Sequence, residues 1–156
     1  MTETSPTRAG FAAIIGAPNA GKSTLVNRLT GSKVSIVTQK VQTTRFPVRG
    51  IAMQGSAQIV LVDTPGVFTP RRRLDRAMVA SAWAGADDAD VVVHLVDAAS
   101  HIASDGKEGS AADRKSAEDT ETIIANLKAS GTKVILALNK IDGMRRDTLL
   151  ALSQTL

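Results

Sequence analysis

The amino-acid sequence predicts an α/β domain, a three-layer sandwich of helices around a mainly parallel sheet, and three observations carry that reading. Apolar runs of strand length alternate with segments of helical period. The first strand, Phe11 to Gly16, leads through a glycine-rich loop into a helix. The chain has 156 residues, 43% hydrophobic and 22% charged, which suffices for one buried core and leaves little room for a second. Without cysteine there are no disulfides, thiolate metal sites or thiol nucleophile. The longest apolar run, Val91 to Val96, contains His94 and is far too short to span a bilayer, and the opening MTETSPTRAG has no signal-peptide core. The expected location is cytoplasmic.

The elements follow in order. Gly21 to Leu29 continues as a helix with Leu25, Val26 and Leu29 on one face and Gly31 as its stop. Lys33 to Arg45 has no steady period, is rich in Ser, Thr and Gln, and reads as a long functional loop. Phe46 to Met53 and Gln58 to Val62 form a hairpin turning at Gln54-Gly55-Ser56. Leu74 to Ala86 is helical through Leu74, Met78, Val79 and Trp83. Asp90 to Asp97 and Lys133 to Leu138 are buried strands. Between them, Ser100 to Ala117 reads as a mobile polar insert, followed by a helix from Glu118 to Ala129 that closes at Gly131. Asp147 to Leu156 begins a last amphipathic helix.

The net charge of +4 hides an asymmetry: Lys33 to Arg76 holds eight basic and two acidic residues, and Asp87 to Glu121 ten acidic and three basic. A cationic stretch favours phosphate-rich partners such as nucleotides or RNA, with a solvated surface as the alternative. Three Phe, one Trp and no Tyr argue against a base-stacking platform for single strands within this chain.

Three motifs carry chemistry. Gly16-Ala17-Pro18-Asn19-Ala20-Gly21-Lys22-Ser23, followed by Thr24, matches G-x-x-x-x-G-K-S between a strand and a helix, the context that a phosphate loop requires. Its backbone N–H groups and the helix N-terminus cradle phosphates, Lys22 reaches the β and γ phosphates, and Ser23 ligates Mg²⁺. Asp63-Thr64-Pro65-Gly66 ends a strand downstream; Asp63 supplies a carboxylate to Mg²⁺ through water, and Gly66 offers its N–H to the γ phosphate. Asn139-Lys140-Ile141-Asp142 follows the last strand. There the Asp142 carboxylate accepts from guanine N1–H and N2 together, whereas adenine would present a lone pair to it. Asn139 suits the N7 edge, and the Lys140 stem lies over the purine. In the long loop, Thr44 of Gln42-Thr43-Thr44-Arg45 is the candidate second Mg²⁺ ligand, with Thr43 as the alternative.

These four motifs resemble those of translation-factor-related small GTPases, and Lys33 to Arg45 is similar specifically to the Era-type family of bacterial ribosome-assembly GTPases, the resemblance running from about Gly10 to Leu156. The resemblance implies a phosphate-loop NTPase fold and GTP hydrolysis to GDP. It also implies a role with small-subunit rRNA and the 30S subunit during subunit maturation, and peripheral association with the inner face of the cell membrane. The expected organisation is a flexible tail over residues 1–9 and a GTP-binding domain over residues 10–156. That domain stops short of the family's last strand and helix and of its KH-type RNA-binding domain. No stable oligomer is expected.

Many GTPases place Gln after the D-x-x-G glycine to orient the attacking water; here the residue is Val67. The resemblance implies that a K⁺ ion beside Asn19 supplies part of the missing charge stabilisation. The residues expected to carry the reaction are therefore Lys22, Thr44, Gly66 and Asn19. His94, in an apolar strand, and His101, in the polar insert, are poor alternatives. A nucleotide-dependent binding module with negligible hydrolysis is the competing reading.

Overall fold

The structure, a computed structural model, describes residues 6–32, 34, 37 and 46–156. Among the described residues five strands and five helices follow one another in the order β1 (Arg8–Ile15), α1 (Lys22–Thr30), β2 (Val48–Gln54), β3 (Ala57–Asp63), α2 (Arg73–Asp87), β4 (Val91–Asp97), α3 (Ala98–Ser104), α4 (Ala111–Ser130), β5 (Val134–Asn139) and α5 (Arg146–Thr155). The sheet order is β2-β3-β1-β4-β5, and every pairing is parallel except the β2–β3 hairpin. Gly55 turns that hairpin at φ 59. The order reverses direction at β1, so the crevice at the carboxyl ends of β1 and β4 is where an open α/β sheet receives a ligand.

Adjacent residues of β1 show why the domain has three layers. Ile14 and Ile15 point to opposite faces of the sheet. Ile14 packs with Val26 of α1, Leu61 and Leu95, while Ile15 packs with Ala82 and Ala86 of α2, Val92, and Ile123 and Leu127 of α4. Two apolar clusters, one on each face, give the expected sandwich. β5 lies at one edge, with Ile135 and Leu136 exposed. No helix among the described residues is long and apolar enough to cross a membrane.

Two sequence expectations are corrected. The segment read as a mobile insert from Ser100 to Ala117 is mostly helical, because both of its helices are capped. Asp97 accepts from Ser100 N–H at 3.0 Å to open α3. Ser110 and Asp113 form a reciprocal box that starts α4 seven residues before the expected Glu118. The hydroxyl and then the N–H of Ser110 also lower the Asp113 pKa. Ala117, Asp119 and Thr120 are buried, and Lys115 pairs with Asp119 at 2.7 Å. In addition, β1 begins inside the expected tail, at Arg8, which stands in register with Ala57. The helix stops at Gly31 and Gly131 form as expected, both in the left-handed region at φ 70 and 67.

Candidate functional site

The phosphate loop, residues 16–21, leaves the carboxyl end of β1 and enters α1. Gly21 has φ 101, a conformation open to glycine, and a side chain there would collide with the Asn139 amide. α1 carries no acidic residue in its first turn, so the positive end of its dipole is left for an external anion. Ala17 and Ala20 are buried, Pro18 is half-buried, and Asn19 and Thr24 are exposed. Asn19 stands at φ 59.

Lys22 is 7% exposed and folds back over the loop, donating to the carbonyls of Ala17 at 2.7 Å and Gly16 at 3.2 Å. Burial pulls its pKa down from 10.5 to about 8, against the opposing attraction of Asp63. The ammonium is thus still charged at neutral pH, in an environment that favours a new anionic partner.

Asp63 ends β3 fully buried, and the Ser23 hydroxyl donates to its Oδ2 at 2.6 Å. A hydroxyl and a carboxylate in contact are hard oxygen donors, and the described residues hold no cluster of three metal-ligating side chains. This small set fits Mg²⁺, which keeps several waters and takes phosphate oxygens as its other ligands.

Beyond Asp63 the turn is anchored rather than open. Thr64 Oγ1 donates to the Ile14 carbonyl at 2.7 Å, Pro65 is buried, and Val67 N–H donates to the Gly16 carbonyl at 2.9 Å. Gly66 lies so close to Pro18 that an added Cβ would stand 2.9 Å from its Cα. Val67, 3% exposed, packs in the α2–α4 cluster. This burial explains an apolar residue where many GTPases carry Gln.

At the other end of the cleft, Asn139 donates to the Ala20 carbonyl at 2.9 Å, and Lys140, at φ 55, donates to the Asn19 carbonyl at 2.8 Å. Both side chains thus tie the Asn139–Asp142 loop to the phosphate loop. Asp142 is exposed and forms no ion pair among the described residues. Thr43 and Thr44 lie outside the described residues.

One charged residue of the site escaped the sequence reading. Asp97, 6% exposed, accepts from Lys140 Nζ at 2.6 Å. The signal available was an Asp closing an apolar strand, as Asp63 does, and facing Asn139 in the parallel register. His94 stands beside Ile15, 1% exposed, with no hydrogen-bond partner for its Nε2 among the described residues. Burial, and then the Lys22 charge, push its pKa down to about 4. His94 is therefore a neutral core residue at physiological pH.

A doubly wound sheet with a phosphate loop at its switch point, and a second loop bonded to it from β5, defines a nucleotide-binding domain of the phosphate-loop class. A family model described as 50S ribosome-binding GTPase matches residues 11–140, and the chain belongs to that family. It is similar to the GTPase Era of Caulobacter vibrioides, with 68% identity over 155 residues covering 99% of this chain and 49% of that protein. The fold is similar to that of Era in complex with MgGDPNP and nucleotides 1506–1542 of 16S ribosomal RNA, with a TM-score of 0.78 and 34% identity over 96% of this chain and 47% of that one. It is also similar to that of a point variant of Aquifex aeolicus Era bound to GDP·AlF4⁻, with a TM-score of 0.74 and 35% identity over 94% of this chain and 46% of that one. The chain spans about half the length of the curated relatives it matches.

Proposed function

We propose that this domain binds GTP together with Mg²⁺ and hydrolyses it to GDP, using residues 16–24, 63–66 and 139–142. The observation that carries the reading is the pair of bonds from Asn139 and Lys140 to the carbonyls of Ala20 and Asn19. They fix a base-reading loop against a phosphate-binding loop, so that one ligand with a purine at one end and phosphates at the other spans both.

At the phosphate end, Lys22 exchanges its two carbonyl acceptors for phosphate oxygens, and the N-terminus of α1 presents backbone N–H groups to the same anion. Ser23 would hold Mg²⁺ directly and Asp63 through a water, joined by Thr44 in the triphosphate state. When bound, the ion neutralises charge developing between the β and γ phosphates. Gly66 approaches the γ phosphate closely because its lack of a side chain lets the turn lie on Pro18. At the base end, Asp142 accepts from the two adjacent guanine donors while the Lys140 stem covers the ring.

With Val67 buried, no side chain at that position orients the attacking water, so intrinsic turnover is slow and Asn19 helps to seat a K⁺ ion that shares the electrostatic load. By similarity to Era, whose structure includes a segment of 16S ribosomal RNA, the partner proposed for the whole protein is small-subunit rRNA. A cytoplasmic site of action with peripheral membrane contact rests on the sequence resemblance alone.

Phosphate release from GTP and from ATP, measured in K⁺ and in Na⁺ at fixed ionic strength, tests the reading. GTP turnover faster in K⁺ and no ATP turnover are expected. Equal turnover of GTP and ATP would overturn it, and equal rates in the two salts would remove the K⁺ component. GDP binding without any phosphate release would favour the binding module, the alternative that buried Val67 supports.

A further inference from the structure

Asp97 belongs to none of the motifs, yet its two carboxylate oxygens serve different parts of the cleft. Oδ1 accepts from Ser100 N–H at 3.0 Å and caps α3, while Oδ2 accepts from Lys140 Nζ at 2.6 Å. Lys140 in turn donates to the Asn19 carbonyl at 2.8 Å. Three segments therefore meet at one ammonium: the end of β4, the phosphate loop and the loop after β5. Both Asn19 and Lys140 hold left-handed backbone conformations, at φ 59 and 55, uncommon for residues with a side chain and maintained only where the surroundings fix them. The Lys140 side chain is 44% exposed and that of Asp97 only 6%, so the carboxylate is the rigid member of the pair and the lysine the one being held.

We propose that Asp97 is a positioning residue for base recognition. It fixes the Lys140 side chain so that its stem lies along the purine face, and through Lys140 it holds the Asn19 carbonyl of the phosphate loop. This inference rests on the guanine-nucleotide reading of the Asn139–Asp142 loop. A long flexible lysine without that anchor would have to be ordered by the nucleotide itself, which weakens binding. A role confined to capping α3 makes a different prediction, because Asn caps a helix as well as Asp does. Asp97→Asn keeps the cap and removes only the charge that holds Lys140.

The test is binding of N-methylanthraniloyl-GDP to the full-length protein, with dissociation rate and affinity measured for Asp97→Asn, Lys140→Met and the double variant. Asp97→Asn is expected to bind about five- to tenfold more weakly, through faster dissociation, with an unchanged melting midpoint in the absence of nucleotide. Lys140→Met, which leaves the cap in place, is expected to show a loss of at least that size, and adding Asp97→Asn to it to cost nothing more in affinity. Unchanged affinity in either single variant would overturn the assignment, as would a full additional loss in the double variant. If the wild-type protein bound no GDP, the base-recognition reading itself would fall, an outcome distinct from these.

Discussion

The phosphate half of the cleft holds Lys22 at 7% exposure with only backbone carbonyls as acceptors among the described residues, whereas the base half holds a half-exposed Lys140 against the buried carboxylate of Asp97. Two lysines that both donate to carbonyls of the phosphate loop thus do opposite work. Lys22 is a buried charge with a lowered pKa, which costs the folded state stability and gives a strong response to an incoming polyanion. The Lys140 charge is already neutralised by Asp97, so its ammonium secures the loops, and on the proposed reading its hydrocarbon stem is left to face a base. On that reading, affinity for phosphates and order in the base pocket come from separate charges.

The largest effect that would break this comparison is expected at Lys22. Lys22→Met removes the charge-assisted bonds to phosphate and should weaken GDP and GTP binding by roughly 10²–10³-fold in calorimetric titration. The melting midpoint without nucleotide should stay level, because loss of two carbonyl contacts is offset by removal of a buried charge. A marked fall in that midpoint would mean that Lys22 is held for the fold rather than for the ligand.

Lys140→Met should behave in the reverse sense. It leaves the Asp97 carboxylate buried with the Ser100 N–H as its remaining partner and should cost about 1–2 kcal/mol of stability, discounted for the exposure of the lysine. Adding Asp97→Asn should recover most of that loss in a urea titration. No recovery would show that the pair is not what ties the base half together.

An effect confined to low pH sharpens the account on the phosphate side. The folded pKa of His94 is about 4, below the ordinary 6.5, so the unfolded chain binds the extra proton between these values. The stability contributed by the neutral ring is complete above about pH 6.5 and is lost as the pH falls to about 4, to an extent of about 2–3 kcal/mol. His94→Phe places another flat ring beside Ile124, Leu127 and an adjoining cavity of about 300 Å³. It should flatten the denaturation profile across that window; an unchanged profile would locate the acid sensitivity elsewhere.

How much of this was legible in the sequence depended on whether the signal was local. The phosphate loop announces itself because its glycines, lysine and serine are contiguous and the flanking periodicities change from strand to helix. The capping box at Ser110 and Asp113 was equally local, but polar composition between 100 and 117 outweighed it, and α4 was placed too late. Asp97 was beyond reach for a different reason. Its partner Lys140 is 43 residues away, and only the parallel register that sets Asp97 beside Asn139 brings them together. The burial of Val67 was likewise invisible, since it depends on α2 and α4 packing over the same face of the sheet. The sequence suggested that Val67 lacks a polar function; the packing explains what it does instead.

The central claim is that this cleft selects guanine through Asp142, and competition of GDP, ADP and xanthosine diphosphate against N-methylanthraniloyl-GDP tests it most directly. The wild-type protein should prefer GDP over ADP by roughly 10⁴-fold or more, since ADP sets a lone pair against the Asp142 carboxylate where guanine offers two donors. In Asp142→Asn, xanthosine diphosphate should displace the probe better than GDP does, because its C2 oxygen accepts from the new amide. Equal affinity of the wild-type protein for GDP and ADP, or an undiminished GDP preference in Asp142→Asn, would contradict the account.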